Sequence, residues 1–238
     1  MLVHAESQRE EDNTPQTITL DAGTKAEMEE EAHILLKAGL HLVEDVERQV
    51  AEIADFFDQP VPTIIKEIVA TAREPVLQER EQWSEDTDTD IDKILEVFAN
   101  LIENANIITK FNFSCCSRCA GTKIRSLATP GQVGYCFFHE QDTDQAVKGQ
   151  GLYIRYSALC PDRRRPEEKD EVAVGKAVAS RLRDKGLEVD WNEDPGQPIK
   201  LPYFNWVVLW DLEAPSSKEE KGKEEEDDDD NNKERSFK

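Results

Sequence analysis

Long hydrophobic runs are missing from this 238-residue chain. No stretch approaches the roughly 18 apolar residues that a membrane-spanning helix requires, so no membrane span is expected. The first residues, MLVHAESQREED, lack the basic start and the apolar centre of a secretory signal. We therefore expect a soluble protein of the cytoplasm.

Cysteine is scarce and its count is odd. The chain has five cysteines, which cannot all pair with one another. Without secretion a disulfide framework is not expected. The thiols are therefore predicted to be reduced, as core side chains, metal ligands or reactive groups.

Positive charge is also scarce. The chain has 29 Lys and Arg against 51 Asp and Glu, and its net charge is −22. Such a chain repels phosphate backbones, so nucleic-acid binding is not expected. The basic run 163–165 lies between prolines and acidic residues and is predicted to be a solvated loop. Phosphate-cradling glycine loops and the nucleophile elbow of hydrolases are also missing.

Both ends of the chain are polar and acidic. Residues 1–24 and 213–238 contain too few apolar side chains to offset the entropy lost on ordering, and we predict them to be disordered. Acidic tails aid solubility or contact basic partner proteins. The folded part is therefore predicted within residues 25–212.

Residues 25–106 show a helical pattern, with apolar side chains three and four positions apart. Gly39 is typical of a helix C-cap, and Asp90 and Asp92 suit the first turn of a later helix. The segment DTDTD lacks the glycine and the closing glutamate of a calcium loop, which favours helix capping over calcium binding. The predicted helices run from 25 to 38, from 43 to 57, from 64 towards Pro75 and from 90 to 104.

Residues 107–212 are predicted to be a mixed α/β domain of about four strands and two helices, packed with the helical region into an α+β protein. A period of two predicts the strands, and Asp142 or Thr143 is predicted to cap a short helix over 144–147. The predicted strands cover 107–113, 134–139, 152–157, 187–191 and part of 199–210, and the longer helix covers 171–182.

The cysteines of this half have the spacing of a metal site. Cys116-x2-Cys119-x16-Cys136-x2-His139 falls within the range of a four-ligand zinc ribbon. However, residues three apart on a strand point to opposite faces, which favours Cys136 as a small buried hydrophobe. A second candidate set replaces Cys136 with Cys115.

Three other uses of these residues stay open. Cys116 and Cys119 form a CxxC pair, which suits redox chemistry. His139 is a candidate general base that Asp142 orients, serving Cys116 or Cys119 as nucleophile, unless Asp142 only caps a helix. In a structural or interaction domain the cysteines would only pack. Whether the protein is an enzyme is left open.

The motifs CCxxC and GYxFFHxQDT stand in an order that resembles a family of uncharacterised bacterial and eukaryotic proteins, classed as a domain of unknown function. The resemblance covers about residues 34–210. The positions that carry it are Trp83, Thr87 to Ile91, Phe98, Cys115, Cys116, Cys119, Gly134, Tyr135, Phe137 to His139, Gln141 to Thr143, Ala146, Leu152, Tyr153, Tyr156, Gly175, Gly186, Trp191 and Trp206.

The resemblance implies one family domain, in which the helical half and the α+β half belong together, but no known activity. It also implies that a cysteine at position 136 is dispensable. This chain departs from the family pattern at Ala120, where the family has glycine, and at Lys123, where it has an acidic residue. The candidate site that the resemblance implies consists of Cys115, Cys116, Cys119, His139, Gln141 and Asp142. We expect it to bind a metal ion, zinc first, or a small ligand, with Gln141 and Asp142 as the ligand-binding candidates.

Overall fold

The computed structural model describes residues 20–56, 62–84, 86–160 and 166–209. The predictions for residues 1–19, 163–165 and 210–238 lie outside the described residues. The fold is α+β, as predicted. Its elements are α1 (Ala22–Ala38), α2 (Val43–Phe56), α3 (Pro62–Arg80), α4 (Asp90–Ala105), β1 (Ile107–Lys110), α5 (Ser117–Ser126), β2 (Gly134–Phe137), α6 (Glu140–Val147), β3 (Leu152–Ala158), α7 (Glu168–Asp184) and β4 (Ile199–Leu201).

Capping residues set the ends of the N-terminal helices. Asp21 caps α1 at its start, and Gly39 ends it in the left-handed conformation, as its position predicted. Thr89 and Asp92 form a capping box at α4, which confirms capping as the role of the acidic run. The helix α3 continues through Pro75 to Arg80, so Val76 and Leu77, which the sequence pattern placed on the same packing surface, belong to the helix itself. Val76 is buried just after the proline, and this packing offsets the missing backbone hydrogen bond.

The four strands form one sheet in the order β1-β2-β3-β4. Strands β1 and β2 are parallel, and the other two pairs are antiparallel. A parallel pair needs a crossover connection, and α5 supplies it. The α+β half therefore contains three helices, one more than predicted.

Several strands are shorter than the sequence pattern predicted. The prediction for 107–113 was too long because Asn112 and Ser114 adopt positive φ, which ends the extended conformation after Lys110. The prediction of a strand over 187–191 was wrong, since that segment makes only an isolated bridge between Asp190 and Lys200.

The two faces of the sheet carry different cores. The main core lies on the face covered by α4 and α7 and includes Ile34 and Ala38 of α1. The other face carries a small core of Ile108, Tyr135 and Phe137 under α5. A further core joins α1, α2 and α3. Among the described residues, no helix combines the length and the apolarity that crossing a membrane requires.

Candidate metal site and the histidine network beside it

The candidate residues meet at one edge of the sheet because β1 and β2 are parallel. Lys110 at the end of β1 pairs with Phe137 at the end of β2. The segment after β1 leads to the cysteines, and the segment after β2 leads to His139. The carboxyl ends of parallel strands are where loops meet and where α/β proteins bind ligands.

Backbone hydrogen bonds join these two segments. The Phe113 N–H donates to the Phe138 carbonyl at 2.9 Å, and the Glu140 N–H donates to the Ser114 carbonyl at 3.1 Å. Asn112 and Ser114 hold φ values of 45° and 70°, which non-glycine residues seldom adopt. The cysteine segment is therefore a fixed irregular loop bonded to the histidine segment.

Three cysteines lie together where α5 begins. Cys116 is the N-cap residue of α5, and Cys119 lies in its first turn. The Sγ atoms of Cys115, Cys116 and Cys119 all lie within 4.8 Å of one another. Cys115 is exposed, and the other two are half-buried. All three thiols are free, and the site is reachable from solvent.

The helix start gives these thiols different acidities. The pKa of Cys116 is lowered, first by the neighbouring backbone N–H of Cys119 and then by the Cys119 thiol. The pKa of Cys119 is raised, chiefly by the same hydrogen bond to Cys116 and then by Cys115. Cys116 is therefore the thiol that most readily becomes a thiolate.

Cys136 lies away from this cluster. It is fully buried in β2, within the main core and opposite Tyr156, and burial raises the pKa of its thiol. The described residues therefore do not assemble the four-ligand ribbon of Cys116, Cys119, Cys136 and His139. Its buried position agrees with its interpretation as a small hydrophobe.

His139 is the N-cap residue of α6, a role that the sequence pattern assigned to Asp142 or Thr143. Asp142 instead completes a capping box with it, so that prediction was wrong. The Asp142 N–H lies 3.2 Å from His139 Nδ1, and the His139 N–H donates to Asp142 Oδ2 at 3.1 Å. Both side chains are buried, with 2% and 1% of their residues' surface exposed.

Two residues that sequence reasoning missed complete this network. Arg155 on β3 donates from Nε to His139 Nε2 at 3.0 Å and from Nη2 to Asp142 Oδ1 at 2.9 Å. The Ser117 hydroxyl lies 2.9 Å from the same Nε2. The alternation of β3 offered a signal for Arg155, because it marks this position as one of the less buried face of the strand. In the sheet, Arg155 stands opposite Phe137. No sequence signal marked Ser117.

The network uses both ring nitrogens of His139. A neutral imidazole has one N–H and one lone pair. With the proton on Nδ1, the ring donates to Asp142 Oδ2 at 3.2 Å, and the Asp142 N–H bonds the His139 carbonyl at 2.9 Å in place of the ring. The Nε2 lone pair then faces Arg155 and Ser117.

This arrangement weakens His139 as a base. Ser117, His139 and Asp142 stand in the order of an acyl-transfer triad, yet the lone pair that a general base needs already accepts from Arg155. Burial lowers the pKa of His139, with Arg155 adding to that effect and Asp142 opposing it. His139 is also not among the described groups whose ligand atoms cluster with the three sulfurs. Gln141, the other candidate, is exposed on α6.

Comparison with known proteins gives one result. Comparisons with curated proteins and with solved structures found no match. The sequence profile of one family matches residues 21–208, which span α1 to the segment after β4. The chain therefore belongs to the family described as a domain of unknown function (DUF6891).

Proposed function

We propose that this domain binds a thiophilic divalent metal ion, zinc in preference, through Cys115, Cys116 and Cys119. The observation that carries the proposal is the position of three sulfur atoms within 4.8 Å of one another. Tetrahedral zinc with Zn–S bonds of about 2.3 Å requires sulfurs about 3.8 Å apart. Small side-chain rotations on the fixed loop would therefore form three corners of the tetrahedron.

Local electrostatics favour the thiolate form that a metal requires. The backbone N–H groups of Cys119 and Arg118, at the positive end of α5, favour a thiolate at Cys116 and lower its pKa. Metal binding to thiols releases protons, and a lowered thiol pKa reduces that cost. Reduced thiols persist in the cytosol, and the proposal places the protein there.

The fourth ligand is proposed to come from solvent or from a bound ligand. To reach the metal, His139 would have to give up its bonds to Arg155 and Ser117. Three protein ligands with an open position are typical of catalytic zinc, whereas structural zinc has four.

Elemental mass spectrometry of the purified full chain tests this proposal. We expect near one zinc per chain in the wild type, and loss of the metal in Cys116→Ser and Cys119→Ser. Cys160→Ser is the matched control, because Cys160 is a half-buried free cysteine outside the cluster. His139→Ala is expected to keep its metal; loss there, with the fold intact by circular dichroism, would make His139 the fourth ligand. A folded wild type without metal would contradict the proposal.

A second candidate function is thiol–disulfide exchange at Cys116 and Cys119, favoured by their unequal pKa values. The Cys116 thiolate would attack a substrate disulfide and release one thiol. Cys119, after losing its proton, would then attack the mixed disulfide, release the second thiol and leave a Cys116–Cys119 disulfide. Mass spectrometry after alkylation, with and without an oxidised dithiol, tests it. The expected result is a reversible Cys116–Cys119 disulfide in metal-free protein, and failure to form it would contradict this candidate.

A further inference from the structure

The cysteine segment has an unusual charge composition. Between Glu103 and Glu140, the 36 residues 104–139 contain no Asp or Glu, although the whole chain has 51. The same segment contains four Lys and Arg residues. A chain with a net charge of −22 thus has one long segment that carries only positive charge.

The fold gathers these four cations around α5. Lys110 shares a strand face with Ile108, which packs under α5. Arg118 and Arg125 are seven residues apart on α5, so they lie on one helix face about 10 Å apart along its axis. Lys123 Nζ lies 3.3 Å from Ser114 Oγ, over the cysteine segment. We name Lys110, Arg118, Lys123 and Arg125 the α5 basic surface.

The α5 basic surface lacks carboxylate partners within the described part of the chain. All four side chains are exposed, and none has a described carboxylate within 4.0 Å. Cations elsewhere on the fold do pair, as Lys37 does with Glu79 and Lys176 does with Glu193. Two carboxylates follow β2 beside the cysteine segment: Glu140, whose N–H bonds Ser114, and Asp142, which pairs with Arg155.

We infer that the α5 basic surface binds a carboxylate-rich peptide segment. Two guanidinium groups about 10 Å apart along a helix suit an extended chain of carboxylates better than one small ion. A polyanion free in solution must approach a chain of net charge −22. A tethered segment avoids this obstacle, because its effective concentration is in the millimolar range. The inference does not depend on metal binding.

The chain itself contains a segment of this chemistry. Residues 224–230 are seven consecutive Glu and Asp residues. Fourteen residues lie between the last described residue, Leu209, and position 224, so fifteen residue steps span a contour of up to about 50 Å. Near its end the described chain packs against the segment after β2: the Trp206 ring lies 6.0 Å from the Phe138 ring, and the Phe138 carbonyl accepts from Phe113, which precedes the cysteines. Residues 224–230 are therefore our proposed occupant, and an acidic segment of another chain is the alternative source.

Carbodiimide cross-linking of the full chain tests whether residues 224–230 occupy the α5 basic surface. This reagent joins lysine amines to carboxylates that touch them. We expect links from Lys110 and Lys123 to residues 224–230, abolished by 0.5 M salt and far more abundant than links from Lys66, an exposed lysine on α3. Mixing ¹⁵N-labelled with unlabelled protein separates links within one chain from links between two copies.

A second measurement covers an occupant from another protein. In a full-length variant with Glu and Asp 224–230 changed to Gln and Asn, a fluorescent peptide of the native 224–230 sequence is titrated by anisotropy. We expect salt-sensitive binding, weakened at least tenfold by Arg118→Glu with Arg125→Glu. Arg183→Glu, an exposed arginine on α7, should change it little. Absence of both the cross-links and peptide binding overturns the inference, as does equal weakening by the control.

Discussion

At the scale of single residues, His139 shows how burial and charge act together. Its ring is enclosed by the network of Asp142, Arg155 and Ser117. Burial removes water from the imidazole and Arg155 repels an added proton, so the pKa of His139 is lowered on folding. In the unfolded chain the same group titrates near its ordinary value.

The pH dependence of stability follows from this difference. Between the lowered folded pKa and the ordinary value of about 6.5, the unfolded state binds more protons than the folded state. The His139 contribution to the free energy of unfolding is therefore complete above about pH 6.5 and decreases as the pH falls below it. Urea unfolding at pH 5.5 and 8.0 measures this. We expect His139→Gln to lose less stability than the wild type when the pH falls from 8.0 to 5.5. An identical loss in both proteins would contradict the assignment of this pH dependence to His139.

Asp142 supplies the anionic part of the network. Its carboxylate accepts from the backbone N–H of His139 and from Arg155. Asp142→Asn leaves the half-exposed arginine without its counter-ion, and we expect a loss of about 2 kcal/mol in the free energy of unfolding. Glu140→Gln is the control on the same helical turn, where the carboxylate is exposed; it should cost about 0.3–1 kcal/mol through the helix dipole alone. Similar losses in both variants would argue against the network.

At the scale of elements, glycine positions show where helices pack most closely. A Cβ at Gly175 on α7 would lie 2.5 Å from the Trp191 ring and 2.9 Å from Tyr156. Those two rings pack edge to face at 5.6 Å. A Cβ at Gly121 on α5 would meet no atom within 4 Å. Gly175 therefore occupies a closely packed position of its helix, and Gly121 occupies an open one.

Alanine substitutions at these two glycines should change the free energy of unfolding in opposite directions. Gly175→Ala is expected to destabilise the protein by about 1–3 kcal/mol through overpacking. Gly121→Ala is expected to stabilise it by about 0.5–1 kcal/mol, because alanine loses less backbone entropy in a helix. Urea unfolding of both variants measures the pair. Destabilisation by Gly121→Ala would show that α5 requires its glycine for another reason.

At the scale of the whole molecule, one tryptophan joins the two halves of the fold. The indole N–H of Trp206 donates to the Ala38 carbonyl at the end of α1, at 3.1 Å. Its ring packs against Phe138 and Phe204. Ile34 and Ala38 of α1 also belong to the main core of the sheet. The helical half and the α+β half therefore share buried surface.

Shared burial predicts one cooperative unfolding transition. Far-ultraviolet circular dichroism and tryptophan fluorescence should give coincident thermal transitions. Trp206→Phe removes the indole donor from the Ala38 carbonyl and is expected to cost about 1–3 kcal/mol. Trp83→Phe is the control, because its half-buried indole makes no hydrogen bond to a described residue. Two separate transitions in the wild type would contradict the packing of the halves as one unit.

The sequence by itself determined the class of fold and the local elements. Helical periodicity located the apolar stripes of α1 to α4, Gly39 ended α1, and the acidic run capped α4, because these features depend on contacts between neighbours in the chain. The CCxxC and HxQD motifs identified the family and the segments that meet at the sheet edge. Strand ends were harder to predict, since Asn112 and Ser114 adopt positive φ in a pattern that still alternates.

Only the tertiary structure decided what the candidate residues touch. The parallel pairing of β1 and β2 joined the cysteine segment to His139, and β3 placed Arg155 on the ring nitrogen that a base or a metal ligand would use. Burial separated Cys136 from the three clustered cysteines. These outcomes depend on residues far apart in the chain, whose distances follow from strand order and register and leave no periodic signal in the sequence.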